Sequence, residues 1–280
     1  MKNKKGIEKL IGRIKKRTFA GVVCEQEVYT VTPHGYKKAS TSEPRLRFNN
    51  EAERAAHREG ISRRKHARLI NANFLPGDLY VTLTFNGRNE CHSYAECWML
   101  LRRYLKRIQR KYPNAKLAYY CGRGENTNRF HVHLLAAGVP EDFLIKKWGY
   151  GEVEDVKQLW AHCIYDGIDH GADYTALANY LFDHWEPEQG PHRYHHTRNL
   201  EQPQAEDYTE CKRNYSAENP PKAPKGYKLV EVKTTRYGYL YFKYIKEPRQ
   251  PFMDFDADIR KPKRIRKRRT KHGPPKEEFL

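Results

Sequence analysis

Arg129-Phe130-His131-Val132-His133-Leu134-Leu135 is the stretch on which the fold turns. Alternate side chains of an extended chain point to opposite sides, so residues i and i+2 share a face. His131 and His133 therefore project together, and Phe130, Val132 and Leu134 face the other way, into a core. Apolar residues flank the pair on both sides, which places this strand centrally in a sheet. H-x-H alone is a weak sign, and its bland alternative is two solvent-facing histidines. Buried without a partner the two would be costly, so the pair predicts a divalent ion. Glu125, a short loop upstream, can add a carboxylate oxygen. Two imidazoles and a carboxylate with open positions suit Mn²⁺ or Mg²⁺ in exchange with phosphate oxygens. Zinc stays open, because imidazole suits it as well.

Outward from this strand the pattern alternates between periods of 2 and 3.6. Leu79-Tyr80-Val81-Thr82-Leu83-Thr84-Phe85 is the clearest strand, β-branched and aromatic, after the turn signal Pro76-Gly77-Asp78. A helix follows over 93–112, with Trp98, Leu101, Leu105 and Ile108 as its core stripe. Arg102, Arg103, Lys106, Arg107 and Arg110 lie largely outside that stripe and are candidates for DNA contact. Strands are predicted at 116–122 and 129–136, helices at 51–71, 141–147 and 174–185, and an extended piece at 149–156. Ile7, Leu10, Ile11 and Ile14 are at helical spacing, so residues 1–18 read as a short amphipathic helix, followed by an extended run at 19–32. Residues 186–226 read as a long irregular connection, and 227–246 as a hairpin turning near Tyr237-Gly238. The fold class is thus α+β. The expected organisation is a basic extension over 1–50, the main domain over 51–203, a linker and hairpin over 204–260, and a basic tail over 261–280.

The chain has 280 residues, a hydrophobic fraction of 38% and a formal net charge of +19. That length fits one sizeable core with less ordered basic extensions. The charge favours polyanionic partners, because binding them releases counterions. Between residues 261 and 272, eight of twelve residues are Lys or Arg. Lys263, Arg264, Arg266, Lys267, Arg268 and Arg269 are accordingly candidates for phosphate contact. None of the six cysteines forms a C-x-x-C pair, which argues against a zinc knuckle and fits a reducing cytoplasm. No signal peptide, apolar membrane span, internal repeat or P-loop is legible.

Three motifs, in order, resemble the His-hydrophobic-His (HUH) endonucleases that initiate rolling-circle replication of plasmids and phages. They are Tyr80-Val81-Thr82-Leu83-Thr84-Phe85, His131-Val132-His133-Leu134-Leu135 and Ala176-Leu177-Ala178-Asn179-Tyr180-Leu181. The resemblance runs from about residue 50 to about 203 and includes Trp148-Gly149-Tyr150-Gly151-Glu152-Val153 and Arg198-Asn199-Leu200. It implies an antiparallel sheet of about five strands with helices packed on it, an RRM- or ferredoxin-like palm. It further implies a metal-dependent nuclease and ligase acting on single-stranded or hairpin origin DNA in the cytoplasm of a bacterial host. A host helicase and polymerase would be partners, and no membrane is involved.

Such an enzyme needs a nucleophile that holds the cut DNA. Tyrosine can do so if the scissile phosphate is polarised. Many members of that family carry Tyr-x-x-Lys-Tyr on the helix. Here Ala176 stands at the first tyrosine position, Asn179 at the lysine and Tyr180 at the second tyrosine. Tyr180 is the first choice for the nucleophile and Tyr174 the second. Six residues separate them, about 120° around a helix, so alternating roles are not expected. The alternatives are a single-tyrosine transposase or relaxase of the same chemistry, and a non-catalytic nucleic-acid-binding protein of similar fold.

Overall fold

Phe130–Ala137 is the middle strand of a five-stranded antiparallel sheet. The structure is a computed structural model that describes residues 12–31, 50–124, 127–165, 167–190, 192–235 and 238–247. In chain order the strands are β1 (Gly12–Ala20), β2 (Val23–Val31), β3 (Leu79–Thr84), β4 (Lys116–Arg123), β5 (Phe130–Ala137) and β6 (Val153–Gln158). Five two-residue strands follow: β7 (Ile164–Tyr165), β8 (Ile168–Asp169), β9 (His195–His196), β10 (Gln204–Ala205) and β11 (Thr209–Glu210). The last two are β12 (Tyr227–Thr234) and β13 (Leu240–Lys246). The helices are α1 (Glu51–Asn73), α2 (Tyr94–Lys111), α3 (Glu141–Trp148) and α4 (Thr175–Asp183). None of them is long and apolar enough to cross a membrane.

The central sheet has the order β6-β3-β5-β4-β9. β5 pairs antiparallel with β3 (Thr82 opposite His133) and with β4 (Tyr120 opposite His133). Period-2 alternation divides its faces. Leu79, Val81, Leu83, Leu117, Val132 and Leu134 pack with Leu101, Tyr104, Leu105 and Ile108 of α2 and with Leu144 and Trp148 of α3. Ala118, Tyr120 and Leu135 face the other way, onto Ala67, Ile70 and Phe74 of α1 and its flank and Ala178 and Leu181 of α4. The helices start where caps are available: Asn50 accepts from Glu53 N at 2.8 Å, and Ser93 accepts from Glu96 N at 3.3 Å. α3 stops at Gly149, whose φ of 64° lies in the left-handed region. The fold is α+β with antiparallel sheets and helices packed on them, as the sequence predicts.

The N-terminal expectation is corrected. Residues 12–20 form a strand, not a helix, and pair with β2 over the whole register from Gly12–Val31 to Ala20–Val23. They are part of a second sheet rather than an extension. Its order is β10-β1-β2-β13-β12, with β11 also on β1. Of the expected helix, residues 1–11 with Ile7, Leu10 and Ile11 lie outside the described residues; Ile14 is on β1, whose backbone partners come from β2 and from residues near 205 and 210. The expected C-terminal hairpin is present as β12 and β13, and it joins the N-terminal hairpin through β13 and β2.

One face of this second sheet carries Cys24, Val28, Phe242 and Tyr244 in an apolar cluster. The other meets α1 through polar groups. Arg68 pairs with Glu25, and with Glu27 at 3.3 Å. The hydroxyls of Tyr241 and Tyr239 donate to Glu25 and Glu27 at 2.8 and 2.6 Å. Lys243 Nζ, buried, reaches Asp173 Oδ2 at 2.5 Å and Thr175 Oγ1 at 3.2 Å, at the start of α4. Burial alone would raise the Asp173 carboxyl, but Lys243 beside it holds it below the usual range. The helix that carries Tyr180 is thus anchored at its first turn from the C-terminal hairpin.

Candidate metal centre

His131 and His133 project from β5 toward α4, on the face opposite the α2 core. A third imidazole meets them there. His184 caps the C-terminus of α4, and the ligand atoms of His131, His133 and His184 all lie within 4.8 Å of one another. The Nε2 atoms of His133 and His184 are 3.1 Å apart. Two nitrogens that share one ion at about 2.1 Å stand about 3.0–3.4 Å apart. His133 and His184 therefore have the spacing of two ligands of one divalent ion, and His131 is close enough to be the third.

The surroundings fix how each ring presents its nitrogen. His184 Nδ1 donates to the Tyr180 carbonyl at 2.9 Å, which leaves Nε2 with its lone pair toward the cluster. His133 Nδ1 lies 2.7 Å from Tyr80 Oη and 3.4 Å from Thr82 Oγ1. A hydroxyl that accepts the Nδ1 proton leaves Nε2 free to bind. Burial pushes His133 down to about 2, aided by the charges of His184 and His131. It lowers His131 in the same way, with His184 adding to the effect. Both rings are neutral at pH 7, the form that ligates. Gly122 on β4 stands opposite His131. A Cβ there would lie 2.7 Å from His131 Nε2 and 2.7 Å from His184 Cδ2. The absent side chain is what lets the two rings close over β4.

Tyr180 stands beside this cluster. Its ring centroid is 5.6 Å from that of His133 and 4.5 Å from that of His184, and the residue is 51% exposed. It lines a cleft of about 770 Å³ together with Tyr80, Thr82, His131, His133 and Lys157. Burial pushes the Tyr80 hydroxyl up to about 12, and the Tyr180 hydroxyl adds to this. The floor of the cleft runs onto β6, where Asp155 stands opposite Thr82 and pairs with Lys157. Arg129, Glu152 and Glu154 complete its charged lining.

Other expected site residues are not brought here. Tyr174 is fully buried, and its hydroxyl donates to the Trp160 carbonyl at 3.0 Å. Its ring packs on Trp160 at 5.3 Å, and burial raises its pKa. It is a core residue at the start of α4, removed from the cleft, and its second-choice role as nucleophile is dropped. Glu125 lies outside the described residues, as do Lys263, Arg264, Arg266, Lys267, Arg268 and Arg269. Arg102, Arg103, Lys106, Arg107 and Arg110 are on α2, on the far side of the sheet from the histidines. None of them lines the cleft.

His184 escapes a reading based on the H-x-H strand, from which it is 51 residues distant. A signal for it exists all the same. Tyr180 and His184 are i and i+4 on one helix, hence on one face. A face that presents the tyrosine to the histidine strand presents His184 too. Against family models, curated proteins and solved structures the chain gives no match.

Proposed function

We propose that this protein is a divalent-metal-dependent endonuclease and ligase that nicks single-stranded DNA through Tyr180, in the manner of the HUH initiators of rolling-circle replication. One observation carries the reading: an exposed tyrosine, Tyr180, lines the same cleft as His131 and His133, which converge with His184 on one point. His131, His133 and His184 would hold the ion. When bound, it would draw charge from a phosphate oxygen. Tyr180 Oη, giving up its proton, attacks the scissile phosphorus. The new bond is a 5′-phosphotyrosine. The bond that breaks is P–O3′, and the departing oxygen takes a proton to become a free 3′-OH. The reverse attack of a 3′-OH religates the strand. Three imidazoles suit Mn²⁺ better than Mg²⁺, and zinc remains the alternative ion. Exposed Tyr180 and half-buried Tyr80 in the cleft suit unstacked bases. Replication initiation, an origin hairpin and the host helicase and polymerase come from the resemblance alone.

The test incubates the full chain with an end-labelled single-stranded hairpin and Mn²⁺ and resolves it on a denaturing gel. A covalent protein–DNA band is expected, absent in Tyr180→Phe and in His131→Ala. Binding without a covalent product on a panel of hairpins would replace the enzyme with a binding module. Undiminished cleavage by His131→Ala would remove the metal from the reading.

A further inference from the structure

The two long helices carry similar numbers of cations but dispose of them differently. Each arginine of α1 has a carboxylate partner. Arg54 and Arg58 meet Glu51 at 3.2 and 2.7 Å, and Arg63 meets Asp183 at 2.5 Å. Arg64 lies 3.8 Å from Glu27, and Arg68 pairs with Glu25 and Glu27. On α2 nothing comparable occurs. Arg102, Arg103, Lys106, Arg110 and Lys111 are exposed, and none has an ion-pair partner among the described residues. Arg107 instead lies over the Tyr150 ring at 4.9 Å. Alongside, α3 adds Lys146 and Lys147, also exposed.

This arrangement is unfavourable in the free protein. Arg102 and Lys106, and Lys106 and Arg110, are like charges at i and i+4, which destabilise a helix. Basic residues in a last turn complement the helix dipole, and that accounts for Arg110 and Lys111. It does not account for Arg102, Arg103 and Lys106, which lie further in. A polyanion laid on this face would relieve the repulsion. Arg102, Arg103, Lys106 and Arg110 fall within about 100° of arc and about 12 Å of axis. One strand of a DNA duplex presents about three or four phosphates over that length.

We infer that the outer face of α2 is a second nucleic-acid site, separate from the histidine cleft, that takes the phosphate backbone of duplex DNA. Its placement makes it separate: α2 covers the apolar face of the central sheet, and the histidines stand on the other. Its composition makes it a duplex site. Single strands are held by exposed aromatics on which bases stack, and the aromatic residues of α2 are buried or half-buried against the core. The cleft has exposed Tyr180, whereas the α2 face has its cations and exposed Met99 but no exposed aromatic among the described residues. The inference goes beyond the cleavage reading and does not depend on it.

Anisotropy titrations with a fluorescent 20-base-pair blunt duplex, over a series of salt concentrations, test it on the full chain. The variants are the charge reversal Arg103→Glu/Lys106→Glu/Arg110→Glu and the same triple substitution to alanine, which favours the helix. Both should lose about tenfold or more in duplex affinity at 100 mM salt. The slope of log affinity against log salt should fall by about 2–3, close to one per cation removed. The basic C-terminal residues are common to all proteins compared, so their contribution cancels. Unchanged affinity and slope in the alanine variant would overturn the site. A single strand of equal length held as tightly, with the same loss in the variants, would overturn its duplex character. Tighter, variant-sensitive binding to phosphatidylserine vesicles than to duplex would assign the face to a membrane surface instead, where exposed Met99 and Ile145 would count. Covalent cleavage on the gel is a separate readout, and its failure leaves this result standing.

Discussion

The two faces of the central sheet use the same three strands for different ends. Toward α2 and α3, β3, β4 and β5 present Val81, Leu83, Leu117, Val132 and Leu134, all fully buried. Toward α4 the intervening positions present Tyr80, Thr82, Gly122, His131 and His133. Stability and chemistry are thus interleaved one residue apart, and period 2 keeps them from meeting. A slip of one residue in register would exchange the two sets. The apolar face is what pins the histidines in place.

That division can be broken, or sharpened, in order of expected effect. Leu134→Ala should cost about 2–5 kcal/mol of unfolding free energy in urea. His133→Ala, its neighbour on the opposite face, should cost less than half as much yet abolish Mn²⁺ binding by calorimetry. Equal losses of stability at the two positions would end the division of labour. Gly122→Ala forces a methyl against His131 and His184, so Mn²⁺ affinity should fall about 100-fold with the circular dichroism unchanged. Full affinity in this variant would show that the two rings can move aside without loss. Tyr80→Phe removes the hydroxyl 2.7 Å from His133 Nδ1, and should weaken Mn²⁺ by about tenfold while leaving stability near the parent's. An unaltered dissociation constant would free His133 from that partner.

The smallest effect lies deeper on the α4 side. His66 of α1 is buried and meets Tyr120 Oη at 2.6 Å, and burial pushes it down to about 3. Its unfolded pKa is about 6.5. The unfolded chain therefore binds a proton here that the folded chain refuses. The stability from neutral His66 is complete above pH 6.5 and is lost as pH falls from there toward 3. Between pH 7 and pH 6 the loss should be under about 1 kcal/mol, and His66→Gln should flatten it in urea titrations. A parent and variant with parallel pH profiles would mean that His66 takes up its proton when folded.

Local patterns were legible where their partners are local. Alternation marks β3 and β5, and the stripe of Leu101, Leu105 and Ile108 marks α2. His131 and His133 were legible as a pair because i and i+2 on a strand must share a face. Residues 12–20 were not, because the far side of their strand is paired with chain some 190 residues away. Tyr174 and Tyr180 could be set on different faces of one helix from spacing. Only packing decides that the first is sealed under Trp160 while the second opens to the cleft.

The sequence by itself determined the α+β class, the central strand, the histidine pair and the cationic stripe on α2, since each follows from a period of 2 or 3.6 within one element. Spacing sets His184 on the face of Tyr180, but tertiary structure alone decided that this face meets the histidine pair, that Gly122 makes room there, and that the α2 cations stand on the far side of the sheet from the histidines. Those relations hold between elements. They are set by how α4 seats against α1 and by which face of a sheet each helix covers, and no local periodicity carries that information.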